Sequence, residues 1–235
     1  MASRQIVFIV DDDVSIRESL EPLIRAAGWQ PRSFGTAQEF LAHPRVSVPS
    51  CLVLDFALPD VNGLELQKRI VADRKEMPII FITAYGNVSM SVEAMKGGAV
   101  EFLTKPFGDD VLLRAIGNAL ERSGVALRQE ADMRSLRDVY ARLTRREREV
   151  MGLVVSGLLN KQIGGELGIS EITVKAHRGR VMRKMHAGSL ADLVTMAARL
   201  HVAPARSPAR PSVPRTIERH SATARSRVID RAAHP

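Results

Sequence analysis

Five side chains suited to phosphate or metal chemistry stand directly behind apolar runs. Asp11 and Asp12 follow IVFIV, Asp55 follows LVL, Thr83 follows IIFI, and Lys105 follows FLT. Three carboxylates brought together repel one another and invite a hard divalent cation with oxygen ligands. Mg²⁺ suits such a set because it takes few carboxylates and keeps waters. A lysine beside such a cation can neutralise a phosphoryl group, and a threonine hydroxyl can hydrogen-bond one of its oxygens. An aspartyl carboxylate is itself a known type of phosphoryl acceptor. The competing reading is a set of helix caps and solvated loop acids. Caps alone would not call for a lysine and a hydroxyl at the same place.

That place has to be made by the fold. Short apolar runs bounded by turn residues read as buried strands, here at 5–10, 30–34, 52–55, 78–83 and 100–103. Between them lie helical patterns: Ile16, Leu20, Leu23, Ile24 and Ala27 before Gly28; a short stretch from Thr36 to His43 with Glu39 in the capping-box position; 63–73; 88–96, stopped by Gly97-Gly98; and 109–122. Asp13 reads as the acid at the start of the first helix rather than as a third ligand. Five such units predict an α/β fold, a five-stranded parallel, doubly wound sheet covered by helices on both faces. If the strands are parallel, their C-terminal ends share one edge, where ligands bind in open α/β sheets.

Charge divides the chain. Residues 1–122 hold 13 Lys+Arg against 16 Asp+Glu, whereas 140–202 hold 11 against 5 and 203–235 hold 7 against 2. An acidic front and a basic back suggest two domains with different partners, the second suited to a polyanion such as nucleic acid. The single cysteine, Cys51, excludes an internal disulfide framework and reads as a small buried residue. No run approaches the length of a membrane span and no leader pattern precedes the first strand, so the expectation is a cytoplasmic protein with no membrane partner.

The join, 123–142, carries Gly124 as its one obvious breaker. It also has Ala126, Met133, Leu136, Tyr140 and Leu143 at heptad-like spacings, which fit either a short dimer seam or an amphipathic connector packed on a domain. From 143 to 202 the pattern is all-α. Thr144 and Glu147 form a capping box, Gly157 ends a helix, Asn160–Leu167 is short, Gly168 turns, and Ser170 caps a longer helix over 171–185. Helix, glycine turn, helix is the helix-turn-helix pattern. Val174, His177, Val181 and Met185 share its core face, with His177 a packing residue. Lys175, Ala176, Gly179 and Arg183, flanked by Arg178 and Arg180, share the opposite face, and Thr173 stands near its start. Leu190, Leu193, Val194 and Ala197 mark a fourth helix. Residues 203–235 lack apolar periodicity and read as a disordered basic tail.

The first half, over about 5–122, resembles the receiver domain of two-component response regulators through VDDD at Val10–Asp13, LDFALPDVNG at Leu54–Gly63, ITAYG at Ile82–Gly86 and FLTKPF at Phe102–Phe107. The resemblance implies phosphorylation of Asp55 by a sensor histidine kinase. It implies Mg²⁺ bound by Asp12, Asp55 and the backbone carbonyl of Ala57, with Asp11 acting through water. Thr83 and Lys105 match the switch hydroxyl and lysine of that family, Phe102 its switch aromatic, and Lys105-Pro106 its cis peptide. The segment 143–185 resembles the LuxR/FixJ type of DNA-binding domain, which implies double-stranded promoter DNA as a partner. Candidate DNA contacts are Thr173, Lys175, Ala176, Arg178, Gly179, Arg180 and Arg183. Two departures stand out: Gly164-Gly165 in place of a commoner alanine-containing pair, and Gly179 where relatives often carry a longer DNA-facing side chain.

The expected organisation is therefore a receiver over 1–122, a helical linker over 123–142, a four-helix helix-turn-helix domain over 143–202, and the tail. The function it implies is a phosphorylation-controlled transcription factor, not an enzyme, that dimerises on phosphorylation, with RNA polymerase a further candidate partner. Two alternatives remain at this stage: an aspartate-nucleophile phosphohydrolase, and a DNA-binding protein whose receiver works without phosphate.

Overall fold

The computed structural model describes residues 4–84 and 86–202; the tail expected over 203–235 lies outside them. The first half is a five-stranded parallel sheet in the order β2-β1-β3-β4-β5. Its strands are β1 (Ile6–Val10), β2 (Gln30–Phe34), β3 (Ser50–Asp55), β4 (Ile79–Thr83) and β5 (Glu101–Thr104). Alternate residues point to opposite faces. Ile6, Phe8 and Val10 of β1 join a core with Phe40 of α2 (Ala37–Ala42), Leu66 and Ile70 of α3 (Gly63–Asp73) and Ala94 of α4 (Val88–Lys96). Val7 and Ile9 join the other core with Leu20 and Ile24 of α1 (Val14–Ala26) and Leu112 and Ile116 of α5 (Asp109–Ala141). The interior strands β1, β3 and β4 are buried throughout, which is why they read as unbroken apolar runs. The outer strands are mixed, and Pro31 is tolerated in β2 because that strand is an edge.

Helix starts are fixed by side chains. Asp13 caps α1 by accepting from Ser15 N–H, Asn62 caps α3, and Asn87 caps α4. The capping box expected at Thr36 is only half made. Thr36 Oγ1 accepts from Glu39 N–H, but the Glu39 carboxylate accepts from Gly35 N–H instead of from Thr36.

One expectation needs correction. The segment expected as a helical linker is helical, but Gly124 does not break the chain, and α5 runs as one 33-residue helix through it. The sheet overrides the ~1 kcal/mol helix penalty of glycine. Ser50 N–H, at the start of β3, donates to the buried Ser123 Oγ at 3.1 Å, and Gly124 packs beside Pro49. The heptad-like residues further along serve packing. Leu136 and Leu143 are buried in the core of the second half, with Met133 and Tyr140 packed against it.

That second half contains α6 (Arg145–Val155), α7 (Asn160–Leu167), α8 (Glu171–Lys184) and α9 (Leu190–Arg199). Val150, Met151, Leu153, Ile163, Val174, Val181, Met185, Leu193 and Ala197 form its core. The box of Thr144 and Glu147 is complete, and Gly168 turns the chain at φ 64° between α7 and α8. Among the described residues no helix is long and apolar enough to cross a membrane.

Candidate functional site

The helices after β1 and β3 leave to opposite faces of the sheet, so the loops behind these two adjacent strands diverge and open a crevice at the carboxyl edge. Asp11 and Asp55 stand there, 1% and 6% exposed. Lys105, arriving from β5, spans them: its Nζ lies 2.7 Å from Asp11 Oδ2 and 3.1 Å from Asp55 Oδ1. The remaining oxygens accept backbone N–H groups, Asp13 N to Asp11 Oδ1 at 2.9 Å and Ala57 N to Asp55 Oδ2 at 3.0 Å. Burial pushes the Asp11 carboxyl above the usual carboxylate range, against the opposing pull of Lys105 and Asp13 N–H. Burial also pulls Lys105 downward, but the two carboxylates outweigh it and hold the ammonium above its ordinary value. Asp12 is exposed at the same edge. The Asp13 side chain stays out of the cluster: its carboxylate accepts from Ser15 N–H, which holds it below its ordinary range.

Thr83 is buried at the end of β4, and its carbonyl accepts Lys105 N–H at 2.7 Å. The Lys105-Pro106 peptide is cis, as expected. Phe102 pairs with Phe81 across β4 and β5 and packs on Phe56 and Phe81, with ring centroids 6.1 and 6.2 Å away. Gly86 lies between Thr83 and Phe102. A Cβ there would come within 3.1 Å of the Phe102 ring, 3.4 Å of Thr83 Cγ2 and 2.5 Å of Thr104 Cγ2.

Among the described residues no group of three or more His, Cys, Asp or Glu side chains forms a ready metal cage. The crevice offers the carboxylates of Asp11, Asp12 and Asp55 at an open edge, a donor set that fits a cation taking few carboxylates and keeping most of its waters, such as Mg²⁺.

In α8, Lys175, Ala176, Gly179, Arg180 and Arg183 are exposed, on the side away from the buried Val174, Val181 and Met185. Arg178 is half-buried at the border and donates to Asn160 Oδ1 of α7 at 3.3 Å. Thr173 is also half-buried, its Oγ1 2.8 Å from Ser170 Oγ. Lys175 pairs with Glu171 one turn back. His177 packs between the two faces with its Nδ1 buried.

A family model described as the response regulator receiver domain matches residues 7–117, and one described as bacterial regulatory proteins, luxR family, matches 141–197. The chain belongs to the luxR-type response regulators. It is 46% identical to nodulation protein W of Bradyrhizobium diazoefficiens over 86% of this chain and 88% of that one. It is 41% identical to the transcriptional regulatory protein FixJ of the same organism over 85% and 97%. Among solved structures, the response regulator StyR matches with a TM-score of 0.75 at 44% identity, covering 84% of this chain and all of that one.

In this regulator the structure brings together Asp11, Asp55 and Lys105, separated in sequence by 44 and 50 positions. It gives two further residues a role that the sequence had not assigned. Arg17 of α1 donates to the Asp11 carbonyl at 2.5 Å. Lys184, at the end of α8, reaches back to the buried Glu147 at 2.7 Å. Neither is marked by spacing or motif, because each partner is set by packing.

Proposed function

We propose that Asp55 accepts a phosphoryl group from a sensor histidine kinase and that this modification controls binding of promoter DNA through α8. The observation that carries the reading is Lys105, whose ammonium bridges the carboxylates of Asp11 and Asp55. It is placed to move from pairing carboxylates to pairing phosphoryl oxygens. In the transfer an Asp55 carboxylate oxygen attacks phosphorus, the phosphorus–nitrogen bond of the donor phosphohistidine breaks, and the imidazole leaves with the bonding electrons. Mg²⁺, held by Asp12, Asp55 and the Ala57 carbonyl with Asp11 acting through water, would supply the positive charge that lets an anion approach the acids.

Thr83 then moves toward the phosphoryl group and Phe102 takes the space it leaves. This reshapes the face made by α4, β5 and the start of α5. That face already exposes Val88, Val92 and Met95 of α4, at 79%, 44% and 46%. A two-fold dimer formed there presents two DNA-binding domains to two half-sites. RNA polymerase is a further candidate partner of the bound dimer. The same chemistry argues for a regulator rather than an enzyme acting on small phosphate esters, because that activity would leave the helix-turn-helix without a task.

Intact-mass measurement with a small acyl phosphate tests the assignment. The wild type takes up one phosphoryl group only when Mg²⁺ is present, and Asp55→Asn takes up none. Labelling of Asp55→Asn under the same conditions would sink the proposal.

A further inference from the structure

The face of α8 opposite its core is not centred on its cations. Residues at i, i+4 and i+7 of a helix lie along one stripe. Here that stripe is Ile172, Ala176 and Gly179, continuing to Arg183. Ile172 is 79% exposed, one of the two most exposed large apolar side chains among the described residues. It stands in the first turn of α8, the end of a recognition helix that reaches base edges. Lys175 and Arg180 lie on the two flanks of the stripe. Arg178, a residue with a forked hydrogen-bonding head, is turned aside to Asn160 of α7. The centre of the face therefore offers methyl and methylene groups and a bare backbone, with no hydrogen-bonding side chain before Arg183.

An exposed isoleucine on such a face has few binding uses. A duplex presents one apolar group in its major groove, the C5-methyl of thymine, and the accepted partners of that methyl are apolar groups such as alanine, the threonine methyl and phenylalanine. The small Ala176 and Gly179 let the helix approach closely, so that Ile172 reaches the groove floor. Lys175 and Arg180 on either side match the phosphate walls. Resting on the DNA-binding reading above, we propose that Ile172 is a specificity-determining residue that reads a thymine C5-methyl in each half-site, while the flanking cations supply sequence-independent affinity.

The test uses the full-length protein, phosphorylated with an acyl phosphate, and a binding site recovered from a random duplex pool. Each thymidine of that site is replaced in turn by deoxyuridine, which removes only the methyl. The expected result is one thymidine per half-site whose replacement weakens wild-type binding by about fourfold, the worth of one buried methyl-sized group. Ile172→Ala should bind the thymidine and deoxyuridine sites equally and should keep its affinity for random duplex. Ile172→Val, which keeps part of the contact, should show an intermediate penalty, and thermal melts of both variants should match the wild type because the side chain is exposed. The inference is overturned if every thymidine tolerates deoxyuridine, if the penalty persists undiminished in Ile172→Ala, or if Ile172→Ala loses random and selected DNA alike. Absence of any salt-dependent duplex binding by the wild type would overturn the DNA-binding reading itself.

Discussion

In the receiver half, the chemistry converges from β1, β3 and β5, where the buried carboxylates of Asp11 and Asp55 are both bonded to the half-buried Lys105. In the DNA-binding half, most of the candidate contacts lie in the open on α8. The contrast sets how each half should answer to change. Buried, mutually paired groups act as a unit, so removing one leaves the others unsatisfied. Exposed cations act nearly independently and are screened by salt. The receiver should therefore behave as a switch with large single-residue effects, and the recognition helix as a sum of small ones.

Substitutions can break this comparison, beginning with the largest effect. Lys105→Met leaves two carboxylates facing each other without their cation, and loss of one partner from a buried set costs about 3 kcal/mol. Urea unfolding of the receiver should show that loss, and a change below about 1 kcal/mol would place the cluster among ordinary surface pairs. The pH dependence follows from the same group. The ammonium is held above its ordinary 10.5, so its stabilisation is complete below that value and fades as pH rises through the higher folded value. Lys105→Met should lack that alkaline loss.

Next in size is Glu147. Burial raises its pKa, but Lys184 and the Thr144 N–H and hydroxyl outweigh burial and hold it below its ordinary 4.5. Its contribution is therefore present above 4.5 and lost as pH falls through the lower folded value. Glu147→Ala should cost the second half about 2 kcal/mol at neutral pH, from the lost cap and charged hydrogen bond. Circular dichroism melts should show the gap closing in acid.

The paired glycines of α7 should act with opposite signs. A Cβ at Gly165 meets nothing within 4 Å, so Gly165→Ala should stabilise by up to about 1 kcal/mol. A Cβ at Gly164 would lie 2.7 Å from the Ile169 carbonyl oxygen, so Gly164→Ala must displace backbone in the turn and should destabilise. Gains for both would show that the turn has slack. Smallest is Arg183→Ala, which should weaken selected and random duplex alike and lower the log–log salt slope by about 0.9. A loss confined to the selected site would move Arg183 from the phosphates to the bases.

The same contrast sets how much of the molecule was legible in its sequence. Asp11, Asp55, Thr83 and Lys105 were legible because each ends a strand, and parallel strands can deliver their ends to one edge only. The Thr144–Glu147 box and Gly168 were legible as cap and turn for local reasons. The continuous α5 was not, because Gly124 argues locally for a break and only the packing of Ser123 on β3 argues against it. Gly164 was read as a departure from the commoner pair, and its close approach to Ile169 is a tertiary fact. The Glu147–Lys184 pair and the turning aside of Arg178 were likewise invisible, since both depend on how α8 sits against α6 and α7.

The central claim is that a phosphoryl group on Asp55 governs occupancy of DNA by α8. Its most direct test is the affinity of the full-length protein for a recovered two-half-site duplex, measured with and without acyl phosphate and Mg²⁺, for wild type and Asp55→Asn. Joining two half-site contacts through a phosphate-dependent dimer should raise wild-type affinity by about 10²–10⁴ and leave Asp55→Asn unchanged. Equal affinities for the wild type in the two conditions would contradict the claim.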